Sequence, residues 1–142
     1  MRSFFVDRVK IGQHGWVTFV AMLINAWKWE GTGNAFILLD RRDWAVLPDA
    51  ATIAAMCDAA NGVGADGLIF FQPLNNATDA MPCSEWEMDY VNADGSRSFC
   101  GNGSRALFAF LRGQGWMPQS GGSLHACDGC HAVAWDEVHA EP

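Results

Sequence analysis

Polar and apolar positions alternate cleanly over residues 85–91. Trp86, Met88 and Tyr90 fall on one side, and Glu85, Glu87 and Asp89 on the other. A period of two predicts a half-buried strand. Residues 68–71, Leu-Ile-Phe-Phe, are wholly apolar and suit a strand buried on both faces. Residues 23–29 and 36–39 read as two more strands, separated by a Gly31-Thr32-Gly33-Asn34 turn and closed by Asp40-Arg41-Arg42-Asp43. From residue 50 the period changes. Ile53, Met56, Cys57 and Ala60 recur at three- and four-residue spacing, Pro48 and Asp49 mark a start, and Gly62 and Gly64 a stop, so 50–60 reads as a helix. Residues 72–83, with Pro73, Asn75, Asn76 and Pro82, read as a loop.

Asp94-Gly95 is a turn signal. Residues 104–112 predict a second helix with Leu107, Phe108 and Leu111 inward, closed by Gly113 and Gly115. Residues 124–127 and 131–135 flank Asp128-Gly129, a two-residue hairpin signature. Residues 136–142 are acidic and read as a linker or the start of a last strand. The order strand, strand, helix, strand, strand, helix, hairpin predicts an α+β domain, its helices inside a curved sheet or against one face of it.

Length and composition narrow the classes. The chain has 142 residues, half of them hydrophobic, which suits one domain with a real core. A net charge of −7 with scattered Lys and Arg excludes a nucleic-acid surface. The five cysteines, Cys57, Cys83, Cys100, Cys127 and Cys130, form an odd, irregularly spaced set. That pattern predicts reduced thiols in a cytoplasmic protein. Residues 16–24 are apolar behind a basic stretch, but no small-x-small cleavage site follows and the run is too short to span a membrane. Met22 offers an alternative start, which makes residues 1–21 an N-terminal extension and 22–142 the domain.

The richest segment is residues 92–104, Asn-Ala-Asp-Gly-Ser-Arg-Ser-Phe-Cys-Gly-Asn-Gly-Ser. It sets Cys100 just ahead of a helix. A thiol there meets the positive end of the helix dipole and unpaired N–H groups, which lower a cysteine pKa. The same N–H groups can hold a carboxylate. Other cysteines read more plainly. Cys57 falls on an apolar helix face and belongs to a core. Cys127 and Cys130 form a lone Cys-x-x-Cys near His125 and His131, but hairpin side chains alternate and do not converge on a metal, so no metal site is expected. Asp66 reads as a brace for its loop.

Three ordered blocks carry a family resemblance. Gly31-Thr32-Gly33-Asn34-Ala35-Phe36, then Cys57-Asp58 with Gly62-Val63-Gly64-Ala65-Asp66-Gly67, then Asn92-Ala93-Asp94-Gly95 with Cys100-Gly101-Asn102-Gly103-Ser104-Arg105 resemble the N-terminal half of diaminopimelate epimerase over residues 22–142. The resemblance implies one half of a two-half α+β fold, a curved and mostly antiparallel sheet around a central helix. It implies cofactor-free interconversion of LL- and meso-diaminopimelate on the lysine and cell-wall pathway. One cysteine from each half faces the substrate α-carbon, one taking the α-hydrogen and the other returning a proton on the far side. By the same resemblance Cys100 is the acid/base of this half, the Gly101 and Asn102 N–H groups meet the α-carboxylate, and Asn34 and Asn92 bind the amino-acid ends.

The match also departs from the family. Ala35 stands where the family has Asp, Ala59 where it has Arg, and Ala106 where Cys is frequent; the step from Asn92 to Cys100 is one residue short; and Gly67 offers no side chain. Nothing after Arg105 matches the second cysteine block or its upstream Glu-Arg pair. The expectation is therefore a fragment, a truncated product, or a half that needs a partner, either a C-terminal half or a second copy. A related proline-type racemase and a non-catalytic binding domain are the alternatives.

Overall fold

The computed structural model describes residues 3–4, 25–31, 33–74 and 85–135. The apolar run 16–24, Met22, the loop segment with Cys83 and the tail 136–142 lie outside the described residues. A mixed sheet of seven strands runs in chain order. It comprises β1 (Ser3–Phe4), β2 (Ala26–Gly31), β3 (Asn34–Asp40), β4 (Gly67–Pro73), β5 (Trp86–Asn92), β6 (Gly121–Ala126) and β7 (Gly129–Ala134). A 3-10 turn, Arg41–Asp43, follows β3; helix α1 (Ala50–Cys57) follows it, and α2 (Gly101–Gly113) lies between β5 and β6.

Neighbouring strands are antiparallel except β3 with β4 and β5 with β6. A parallel pair needs a crossover, and these two are α1 and α2. Because β4 and β5 are antiparallel, the two crossovers leave strands of opposite direction while stepping the same way along the sheet. Crossovers of one hand must then deliver their helices to opposite faces. The two cores show that they do. Phe36, Leu38, Ile69, Phe71, Met88, Tyr90 and Leu124 pack on α2. The alternate residues Ile37, Leu39, Leu68, Phe70 and Val91 pack on Ile53, Met56 and Cys57 of α1. The α2 helix takes the expected central place, and α1 covers the other face. That division explains the unbroken apolar runs of β3 and β4, buried on both sides.

An aromatic cluster fills the α2 side. Phe71 sits 5.5 Å from Phe110 and 6.1 Å from both Trp27 and Trp86, ring centre to ring centre. Trp116 stacks on Trp86 at 6.1 Å and meets Phe110 edge-on. Such pairs add stabilisation beyond the area they bury.

The helix boundaries differ from the sequence reading for local reasons. The Asp49 carboxylate caps α1, accepting the Thr52 N–H at 2.8 Å. The helix stops at Cys57, before residue 60, because Asp58 Oδ1 captures the N–H groups of Ala60 and Asn61 at 2.9 and 2.6 Å. The α2 helix begins three residues early, at Gly101, although glycine is a poor helix former. Gly103 suits this close approach: a Cβ there would lie 3.1 Å from both Ile69 Cδ1 and Met88 Cε, tight enough that these side chains would have to give. In the last hairpin the turn is Cys127-Asp128, with Ala126 opposite Gly129, one residue before the expected place. Gly129 takes φ +129°, a backbone shape that other residues rarely adopt.

Two outcomes follow. Phe110, 1 % exposed, is central to the aromatic cluster; Phe110→Ala is expected to cost about 3–5 kcal/mol of stability in a urea titration. Asp40 is buried at the end of β3, and hydrogen bonds from the Arg42 side chain hold its carboxyl below the ordinary 3.8. A depressed folded-state pKa stabilises above the ordinary value, and the contribution is lost as pH falls through the folded pKa. Asp40→Asn should therefore be less stable at neutral pH, and its deficit should shrink below pH 3.8 in acid-unfolding curves.

Candidate active site

The N-terminus of α2 is where the chemistry-bearing residues meet. Cys100 is its cap residue, in extended backbone, half-buried, with Sγ accepting the Gly103 N–H at 3.3 Å. The Cys100 carbonyl accepts the Ser104 N–H at 2.9 Å. Those two bonds leave the N–H groups of Gly101 and Asn102 without an acceptor among the described residues. Such groups at a helix start, with the dipole behind them, favour an anion. The Ser104 hydroxyl donates to the Gly101 carbonyl at 2.8 Å and tightens the turn.

Asn34, at the start of β3, joins this turn across the sheet. Its Oδ1 accepts from Asn102 Nδ2 at 2.8 Å, and its own Nδ2 donates to Asp66 Oδ2 at 3.2 Å. The same Asp66 oxygen accepts the Ala35 N–H at 2.8 Å. The register explains the meeting: Phe36 lies beside Gly67 in the parallel β3–β4 pair, so Ala35 and Asp66 are neighbours. The Asp66 backbone completes the tie, donating to the Ala35 carbonyl at 2.8 Å and accepting from Ala93 at 3.2 Å. Asp66 does brace its loop, and it also binds that loop to two others.

Asn92, at the end of β5, stands apart from that network. Its Nδ2 is shared among the Ser96 carbonyl at 3.1 Å, Ser96 Oγ at 3.1 Å and Ser98 Oγ at 3.2 Å. It shapes the loop that leads to Cys100. Phe99, in the same loop, stacks on His131 of β7 at 4.0 Å, and His131 Nε2 meets Asp128 Oδ1 at 2.8 Å.

A cleft of about 360 Å³ opens between the first turns of α2 and strand β7. Gly101, Asn102, Ser104, Arg105 and Phe108 line one side, and residues 132–134 the other. Tyr90 lies beneath. Burial, and next the negative charge of Cys100 and then Asp66, push its phenol above the ordinary 10.0. A Cβ on Gly67 would stand 2.6 Å from the Tyr90 ring and from the Val91 carbonyl, so the position has no room for a side chain.

A family model described as diaminopimelate epimerase matches residues 26–138. The chain belongs to the diaminopimelate epimerase family. It is 41 % identical over 96 residues to the diaminopimelate epimerase of Thermobifida fusca (strain YX), covering 62 % of this chain and 35 % of that one. Against that of Mycobacterium leprae (strain Br4923) it is 37 % identical over 111 residues, 71 % of this chain and 35 % of the other. The chain thus spans about a third of the length of these epimerases. A crystal structure of the Bacillus anthracis phenazine biosynthesis protein, PhzF family, superposes with a TM-score of 0.54 at 18 % identity, over 81 % of this chain and 37 % of that one, and shares the fold.

Within this epimerase-family domain, Cys100, Gly101, Asn102 and Asn34 form one cluster, with Asn92 bracing the approach to it. Sequence reading missed the tie from Asp66 to Asn34, the packing of Cys100 against the core that holds Tyr90, and the cleft that Arg105 and β7 line beside the helix start. Only the Gly-Ala-Asp-Gly block hinted at Asp66. The cysteines also divide. Cys57, Cys100 and Cys127 are free thiols, whereas Cys130 is disulfide-bonded. That corrects the expectation of five reduced thiols, because spacing along a chain does not reveal which sulfurs a fold brings into bonding reach. Among the described residues no group of three or more His, Cys, Asp or Glu is placed to hold a metal, and no helix is long and apolar enough to cross a membrane.

Cys57 is buried, and burial pushes its thiol above the ordinary 9.0. Iodoacetamide should alkylate Cys100 in the folded protein and spare Cys57, both reacting in urea, as read by peptide mass spectrometry. Equal rates at the two sites in the folded state would contradict this geometry.

Proposed function

We propose that this domain supplies one of the two acid/base groups, and half of the substrate cradle, of a cofactor-independent diaminopimelate epimerase of the cytoplasmic lysine pathway. Family membership supports this reaction class. The observation that carries the assignment is the placing of Cys100 Sγ at the helix start beside the two unclaimed N–H groups of Gly101 and Asn102.

The α-hydrogen of an amino acid is a very weak acid, and its removal puts negative charge on the neighbouring carboxylate. A carboxylate held on the Gly101 and Asn102 N–H groups has that charge met by preorganised dipoles. In one direction the Cys100 thiolate accepts the α-proton. A thiol on the opposite side donates a proton to the carbanion, inverting the centre, and the reverse direction exchanges the roles. By family resemblance the opposing thiol comes from a second half with its own cysteine block, so turnover requires that half in the same protein or in a partner. Asn34 and Asn92 bind the amino-acid ends of the substrate, and Asn92 also holds the 92–98 loop in shape.

The test is solvent deuterium exchange at the α-carbon of diaminopimelate, followed by mass spectrometry. The 142-residue chain is assayed alone and mixed with a separately produced C-terminal half of a diaminopimelate epimerase. Epimerisation is expected in the mixture, with a fall of at least about a thousandfold in Cys100→Ala, the scale on which acid/base groups act. Exchange into proline with none into diaminopimelate would shift the reading to a racemase. Exchange that survives Cys100→Ala would remove Cys100 from the chemistry.

A further inference from the structure

We infer that Asp66 is a positioning residue that sets the direction of a chain of amides and so presents an acceptor oxygen, rather than an N–H donor, from Asn102 to the substrate's ammonium group. The inference rests on the proposed function for the identity of the substrate and on geometry for the relay.

An Asn amide has one donor end and one acceptor end, and the orientation it takes is dictated by its partners. A carboxylate at neutral pH only accepts. Asp66 Oδ2 therefore requires the end of Asn34 that faces it, 3.2 Å away, to be the NH2 group. The Ala35 N–H, donating to the same oxygen at 2.8 Å, keeps Asp66 from swinging aside. With its donor end committed, Asn34 turns its carbonyl oxygen to Asn102. Asn102 must then answer with its own NH2 group, at 2.8 Å. One choice at Asp66 thus passes through two amides. The end of Asn102 left over is Oδ1, which has no partner among the described residues, on a side chain that lines the cleft.

The consequence is a division of labour at one residue. The backbone N–H of Asn102 suits a carboxylate, and its side-chain oxygen suits an ammonium. An α-amino acid carries both groups on one carbon. A flipped relay would offer N–H groups to both ends and repel the ammonium. The Asn34–Asn102 contact spans 68 residues of sequence and the Asn34–Asp66 contact 32, so the fold alone assembles the relay.

The experiment uses the full chain with Asp66→Ala and Asp66→Asn. In 15N–1H spectra, Asp66→Ala is expected to shift the side-chain NH2 pairs of both Asn34 and Asn102, although Asp66 touches only the former. Asp66→Asn, which can still present an oxygen at the same place, should return the Asn102 pair toward its original position. An Asn102 pair left unmoved by Asp66→Ala would overturn the relay. In the reconstituted exchange assay, Asp66→Ala should raise KM for diaminopimelate roughly tenfold, the scale of one charge-assisted hydrogen bond. Competitive inhibition by pimelate, which keeps both carboxylates and lacks both ammonium groups, should change less than about twofold, since its recognition uses the untouched backbone N–H groups. Equal weakening of both ligands would overturn the ammonium assignment. Failure of the unmutated chain to support any exchange would count against the proposed function, and the spectra would still decide the relay.

Discussion

The first turn of α2 lies close against the sheet, and Gly103 is the residue at the point of approach. Ile69 of β4 and Met88 of β5 stand where any Cβ at that position would press. Behind this contact, Leu107, Phe110 and Leu111 are buried in the aromatic cluster that Phe71 organises. In front of it, Cys100 is left at the rim, half-buried, with its sulfur tied to the Gly103 N–H. Moving that turn outward would carry the sulfur, the two unclaimed N–H groups and Asn102 with it. The placing of the candidate site thus depends on how α2 packs on the sheet.

Two parallel strand pairs in an otherwise antiparallel sheet give the domain its second organising feature. The β3–β4 pair brings the loop with Asp66 beside the loop with Asn34. The β5–β6 pair makes α2 a crossover, and a crossover helix starts at the end of the strand that precedes it. The ends of β5 and the starts of β3 and β4 therefore gather at one edge of the sheet, along with the helix N-terminus. Of these three strands only β5 presents its carboxyl end there, and α2 departs from that end; β3 and β4 meet the site with their amino ends. The tie is made by polar side chains at the rim, while the cores beneath contain almost no polar group: Asp40 and Ser104 are the only buried polar residues among those described.

Much of this architecture was legible in the chain. The alternation in β5, the apolar runs of β3 and β4 and the three-and-four spacing of α1 are direct consequences of which faces are covered, so the strands and helices emerge near their expected places. Boundaries were less legible where a side chain competed with the backbone. Asp58 ended α1 early, and Cys100 with Gly103 began α2 early against the propensity of its glycines. The pairing at Asp128-Gly129 moved by one residue because Gly129 can take a positive φ inside the strand start. Asn92 illustrates a different gap. Its identity pointed to a substrate contact, and the fold adds a tie from its Nδ2 to Ser96 and Ser98 that only neighbours fixed in space could show.

What the sequence determined by itself was local in nature: the periods of its strands and helices, the turn residues, a cysteine ahead of a helix, and three blocks whose order places the chain in its family. Those features depend on residues within a few positions of one another, so they can be read along a line. The tertiary structure decided what lies across space. It assigned α1 and α2 to opposite faces, through the reversal of strand direction between β4 and β5. It also joined Asp66, Asn34 and Asn102 into one hydrogen-bonded chain. An amide's partner is set by register and helix depth rather than by spacing, and both exist only once the sheet has closed on the helix.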